Sequence, residues 1–120
     1  MRLTVDIADT PTTLTKGLMG VKHMDQNTGM LFQFASSLEA SFWGKDTYIP
    51  LDIAFVDSKN KIIDIKQITP MSTKSVRSDG ICLMAIEANA GFFKKNEIGV
   101  GDTIELERSG DKSGTVNFRK

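Results

Sequence analysis

The residue types most able to do chemistry are concentrated in one run, Phe42-Trp43-Gly44-Lys45-Asp46-Thr47-Tyr48-Ile49-Pro50-Leu51-Asp52-Ile53-Ala54-Phe55. It holds the only Trp and the only Tyr of the chain, together with a lysine and two carboxylates. A flat ring beside a few charged groups suits a polar small ligand, a saccharide among them, because it offers a stacking surface plus fixed donors and acceptors. Trp43, Lys45, Thr47 and Asp52 are therefore candidate ligand-binding residues. The same segment also admits an architectural role, with Trp43 as a core anchor and Asp46-Thr47 closing a turn through side-chain-to-backbone bonds.

Asp52 heads an apolar run, where a carboxylate is costly unless it is paired or hydrogen-bonded. Lys45 and the backbone of the 70–80 loop are its candidate partners. Glu87 ends a second apolar run, Ile81 to Glu87, and joins the candidate ligand-binding set. Two carboxylates flanking a cleft can act as acid and base in sugar hydrolysis. A carboxylate-dependent hydrolase is thus the least favoured alternative, and it requires Asp52 and Glu87 to converge.

Other chemistries are excluded or weak. One histidine, His23, and one cysteine, Cys82, leave no His-rich or multi-cysteine metal site and no internal disulfide. Cys82 sits in the apolar Gly80-Ile81-Cys82-Leu83-Met84 and reads as a core residue. Met19, Met24 and Met30 read as core fillers. Gly17-Leu18-Met19-Gly20 lacks the spacing of a phosphate loop, and Gly99-Val100-Gly101-Asp102 precedes a strand where such a loop would precede a helix. No cofactor or metal is expected, and no complete catalytic set is present, which favours a non-catalytic protein.

The 120 residues provide for one domain, and size scaling gives a folded surface of about 6,400 Å², enough burial for a core without staples. Fifteen basic side chains against fifteen acidic ones argue against a nucleic-acid partner. No stretch reaches the roughly 18 apolar residues of a membrane span. The N-terminus carries no run of signal-peptide length, so a soluble chain unexported by its own signal is expected, or export if a signal was trimmed. The expected partner is a polar small molecule, or a protein if the chain is instead a structural or interaction subunit of a larger assembly. Oligomeric state stays open.

The elements that must position these residues are short. Leu3, Val5 and Ile7 alternate with polar or small neighbours as an opening strand. Thr10-Pro11 has helix-start chemistry, which predicts a short helix to about Leu18. Strands are expected at Gly29 to Phe34, from Phe42, at Leu51 to Val56, at Ile62 to Ile68, at Ile81 to Glu87 and at Thr103 to Leu106. Asp57 to Lys61 is a hairpin connection, and Gly91 to Asn96 a single helical turn. About seven strands joined mostly by short connections predict a mainly β fold: an antiparallel sandwich or barrel-like domain with one or two short helices. Its expected extent is residues 1–107, with 108–120 as a polar extension in which Thr115 to Phe118 adds an edge strand.

The ordered set Gly17-Leu18-Met19, Gly29-Met30-Leu31-Phe32, Phe42-Trp43 through Asp52, Glu87 to Gly91, and Gly101-Asp102 closely resembles domain-of-unknown-function family 192 (DUF192), small proteins of bacteria, archaea and some viruses. The family pattern runs Gly-Leu-Met, Gly-Met-Leu-Phe, Phe-Trp-Met-Lys-Asn-Thr with a later Pro-Leu-Asp, a Leu-Glu with three residues between the Glu and a Gly, and Gly-Asp. The resemblance spans about Leu3 to Leu106. It implies a compact β-sandwich-like domain and no established reaction. By motif it singles out Trp43, Lys45, Thr47, Pro50, Asp52, Glu87 and Gly91, with Gly17, Gly29, Gly101 and Asp102 as structural positions. Gly44 stands where the family has Met, and Asp46 where it has Asn. If the motif lines a site, the first change is expected to widen it and the second to add negative charge. Many relatives carry an export signal or lipid anchor, and this chain shows neither, so the resemblance implies a cytoplasmic or viral setting.

Overall fold

A computed structural model describes residues 1–120. Its elements follow in the order β1 (Arg2–Ala8), α1 (Pro11–Lys16), β2 (Thr28–Leu38), β3 (Ser41–Phe42), β4 (Leu51–Val56), β5 (Ile62–Ile68), β6 (Val76–Arg77), β7 (Cys82–Asn89), α2 (Phe92–Lys95), β8 (Thr103–Gly110) and β9 (Ser113–Arg119). The mainly β class with two short helices is as expected. Seven strands form one sheet in the order β5-β4-β7-β2-β1-β9-β8, while β3 and β6 make a separate ribbon. All neighbours in the large sheet are antiparallel except β1 and β2, which are parallel and joined through α1. The ends of the sheet meet at one corner. Lys61 bridges Thr103, the Ile62 N–H donates to the Asp102 carbonyl at 2.8 Å, and Ile104 donates to Asn60 at 2.9 Å. This closure gives the barrel-like character.

Period-2 alternation assigns the two faces of the sheet to two cores. The inner face collects Leu3, Val5 and Ile7 from β1 with Leu31, Ile86, Val116 and others. Helix α2 plugs this core with Phe92 and Phe93, whose rings lie edge-on at 5.4 Å and each stand about 6 Å from Phe118. The outer face of β4, β7 and β2 carries Leu51, Ile53, Phe55, Phe32 and Ala85. Covering it are the α1 connection and the β3–β6 ribbon, from which Phe42 meets Phe32 edge-on at 4.9 Å. Strand β4 is consequently buried on both faces, all six residues of it. Cys82 is fully buried in the outer core, and burial pushes its thiol above the ordinary range.

Local chemistry explains the helix bounds. Thr10 accepts from the Thr13 N–H while the Thr13 hydroxyl caps Thr10, Pro11 opens the first turn, and Gly17 ends the helix two residues earlier than the expected Leu18 region. The C-terminal segment departs from expectation. It forms a strand, but β9 lies between β1 and β8 and is not an edge. Val116 and Phe118 alternate into the inner core, and β8 itself runs through the expected 107/108 boundary to Gly110. The segment is therefore integral to the sheet. The folded surface is 6686 Å², close to the scaling value.

Candidate functional site

Strand register decides where each candidate side chain points. Glu87 lies opposite Ile53 of β4 and Met30 of β2, so its side chain shares the outer face with them. There it meets an open cavity of about 300 Å³ between the sheet and its cover. Leu18, Met19, Phe32, Phe34 and Phe42 supply apolar walls, Trp43 and Lys16 also line the cavity, and Ser41 and Thr47 add hydroxyls. Glu87 is only 4% exposed, and neither a hydrogen bond nor an ion pair from the chain reaches its carboxyl. Burial alone pushes that carboxyl up to about 8 from an ordinary 4.5.

The cover is positioned by backbone as much as by side chains. Gly17 ends α1 in a left-handed conformation, and a Cβ there would stand 3.2 Å from the Phe32 ring, so glycine lets the segment settle on that ring. Beyond β3 the chain turns back on itself. The Thr47 N–H donates to the Gly44 carbonyl at 3.1 Å, and the Thr47 carbonyl accepts from Met71 at 3.0 Å. Thr47 is buried and its hydroxyl donates to the Lys45 carbonyl at 3.3 Å. Trp43 is not a core anchor, being 45% exposed, and the Lys45 ammonium sits 5.4 Å from its ring centroid. A cation over an indole at this distance is favourable.

Of the expected ligand-binding residues, the structure thus gathers Trp43, Thr47 and Glu87 around one cavity, with Lys45 against Trp43. Asp52 is elsewhere. It pairs with Ala88, one register step from Glu87, and so faces the opposite side of the sheet. One of its oxygens accepts from the Gly91 N–H at 2.8 Å, and the other is buried without a partner. Neither Lys45 nor the 70–80 backbone is its partner; the backbone at the start of α2 is. Gly91 holds φ 90°, which glycine adopts without strain, and this turns its N–H toward Asp52. Asp52 otherwise borders a separate open groove with Gln67, Ser75 and Arg77. Asp52 and Glu87 therefore do not converge, and the paired-carboxylate arrangement is not formed.

The two departures from the family pattern also have structural answers. Gly44 is buried and lies outside the cavity wall, with its N–H donating to the Ser72 carbonyl at 2.9 Å. A Cβ at Gly44 would sit 1.9 Å from the Thr69 carbonyl oxygen, so this glycine accommodates a close backbone approach and does not widen the site. Asp46 is exposed with φ 55°, a conformation that Asp and Asn tolerate, and its carbonyl accepts from Gly20 at 2.8 Å. Its charge stays outside the cavity.

The remaining motif positions hold backbone junctions. Gly29 sits where a Cβ would meet the Glu87 carbonyl at 2.2 Å. The Pro50 carbonyl accepts from Ala90, and the Gly101 N–H donates to Ile62. The Gly99 N–H, and secondarily the Lys120 ammonium, hold the Asp102 carboxyl below its usual range. Residue-level reading placed Phe42 in the candidate run but gave no role at a site to Leu18, Phe32 or Phe34. The signal was present in that three separate motif segments, at Gly17-Leu18-Met19, Gly29 to Phe32 and Phe42-Trp43, all supply lining residues.

Comparison with known proteins adds family and fold. The chain is similar to a solved protein of Sinorhizobium meliloti 1021 that is provisionally named a transcription regulator, with 35% identity and a TM-score of 0.84 over 86% of this chain and 81% of that one. It is also similar to a protein of unknown function from Novosphingobium aromaticivorans DSM 12444, with 30% identity and a TM-score of 0.82 over 84% of this chain and 73% of that one. No curated protein matches the sequence. The family model described as DUF192, "Uncharacterized ACR", matches residues 1–106, and with the motifs seated as above this chain belongs to the DUF192 family.

Proposed function

We propose that the domain is a non-catalytic small-molecule binding module whose site is the cavity above Glu87. One observation carries this reading. A carboxyl buried to 4% exposure lies against an open cavity of about 300 Å³ with no partner in the chain. The Glu87 oxygens are not sealed like Asp52 Oδ1, the one wholly buried side-chain oxygen without a partner, but open onto the cavity, where a ligand can meet them. The apolar walls, the few hydroxyls and the half-exposed Trp43 are the usual furnishing of such sites. The saccharide among the expected ligands remains one class to test, with Trp43 as its stacking surface.

Catalysis is not part of the reading, because Glu87 has no acid–base partner: Asp52 faces the other way, and His23 is exposed beside Asp25 at 3.1 Å. A DNA contact is not part of it either, since phosphate neutralisation needs excess cations and the charge is balanced, fifteen to fifteen. A second reading is a protein-docking surface around the 43–48 loop, where Trp43, Tyr48 and Met71 are 45%, 51% and 56% exposed.

The test uses the single Trp43 on the cavity as reporter. Its fluorescence is titrated with panels of saccharides, nucleotides, amino acids and small cyclic carbonyl compounds, with Glu87→Ala as the loss control and Asp52→Asn as the neutral control. A saturable change abolished in Glu87→Ala and retained in Asp52→Asn supports the module. A silent panel overturns it in favour of the docking surface.

A further inference from the structure

The charges around Glu87 restrict what can bind there. On its own sheet face it is flanked by Ile53, Met30, Ala85 and Asn89, none of them charged. Two strands out on that face stand Asp6 of β1, exposed, and Lys66 of β5, which is tied to Asp64 at 3.4 Å and to the Arg77 carbonyl. From the covering elements, the exposed Lys16 of α1 lines the cavity and Lys45 lies on Trp43. Besides Glu87, Lys16 is the one charged side chain that lines the cavity, and it does not pair with Glu87; Asp46, beside Lys45 in the covering loop, is exposed and lies outside the wall. An ionised carboxylate would stand unpaired among apolar walls, whereas the neutral acid fits and offers an O–H donor. A cationic guest would have the Lys16 ammonium beside it.

We infer that the cavity takes an uncharged molecule with an apolar body and a hydrogen-bond acceptor, such as a cyclic ketone or amide, which accepts from the Glu87 carboxylic O–H. This rests on the cavity being a binding site. Its size agrees: an apolar cavity of about 150 Å³ holds a benzene-sized guest, so about 300 Å³ admits a ring with a polar substituent. With the acid holding its proton up to about 8, the donor is present at neutral pH and disappears above it. This is the reverse of the behaviour expected for an ammonium guest, whose affinity would rise as Glu87 ionises.

The experiment titrates cyclohexanone and cyclohexylammonium into wild type and Glu87→Gln, followed by the methyl resonances of the methionines, since Met19 lines the cavity. Glu87→Gln retains an N–H donor but no titrating proton. The expected result is saturable cyclohexanone binding to wild type that weakens about tenfold between pH 7 and pH 9, as the protonated fraction falls. In Glu87→Gln the same binding persists and is level with pH. Cyclohexylammonium binding more tightly than cyclohexanone, and tightening with pH, overturns the inference while leaving the binding site standing. Cyclohexanone binding that is level with pH in wild type does the same, because Glu87 is then not its donor. No saturable shift with either probe at any pH overturns the inference together with the binding-site reading.

Discussion

Glu87 makes the stability of this fold depend on pH in a direction opposite to that of ordinary paired carboxylates. Burial holds its proton up to about 8 in the folded chain against 4.5 ordinarily. Below about pH 4.5 the acid is protonated folded and unfolded, and it contributes no pH dependence. Between pH 4.5 and 8 the unfolded chain releases a proton that the folded chain keeps, so stability falls by about 1.4 kcal/mol per pH unit. Above pH 8 both states are ionised and the loss stops growing, at roughly 5 kcal/mol. Domains of this kind have only about 5–15 kcal/mol in total, so the wild type should be fragile at alkaline pH. Glu87→Gln keeps the shape and abolishes the titration. Urea unfolding of both proteins from pH 4 to 9 isolates the effect, because every other titrating group cancels in the difference. The variant's advantage should grow by several kcal/mol from pH 4.5 to 8 and then level off. A difference constant within about 1 kcal/mol across that range would refute the reasoning, since the ionised carboxyl would then have to reach water or a partner.

Other consequences follow from the placement of single residues. Gly44→Ala puts a Cβ 1.9 Å from the Thr69 carbonyl oxygen, and urea unfolding should show a loss of about 2–4 kcal/mol. Asp52→Ala removes the acceptor of the Gly91 N–H and should lower stability by roughly 2 kcal/mol, with Asp52→Asn milder; both should leave Trp43-detected binding in the cavity unchanged, because Asp52 faces the other side of the sheet. Phe118→Ala withdraws a ring packed on Phe92 and Phe93 and should destabilise by about 3–5 kcal/mol. A chain ending at residue 107 should fail to give a cooperative transition, which circular dichroism would show.

How much of this could be read from sequence depended on whether the signal was local. Leu3, Val5 and Ile7 announce a strand because one face is buried and the other wet, and Thr10-Pro11 announces a helix start through its own hydrogen bonds. The Asp57 to Lys61 hairpin is equally local, with the Asp57 carboxylate accepting from Lys59 and Lys61. Asp52 and Glu87 look alike in sequence, each a carboxylate at the end of an apolar run. They differ by one register step, Asp52 opposite Ala88 and Ile53 opposite Glu87, and that parity puts one under α2 and the other under the cavity. No local pattern encodes it. The cavity walls come from α1, β2 and β3 and their flanks, so apolar wall residues such as Leu18, Phe32 and Phe34 carry no local sign of a site. Val116 and Phe118, two apolar residues in a polar segment, look like an edge strand; only pairing with β1, more than a hundred residues away, makes the strand internal.

The insertion of β9 between β1 and β8 also governs how the protein is made. In vectorial synthesis β1 emerges first, yet one of its two neighbours is the last strand of the sheet to leave the ribosome. Until then the nascent chain presents one unpaired flank on β1 and another on β8, both ready to pair with other chains. Long-range pairing of this kind is slow, so the exposure lasts. Messages that stall or terminate before residue 113 should release products bound for aggregation, and holdase chaperones should be more useful to this protein's yield than any aid to local folding.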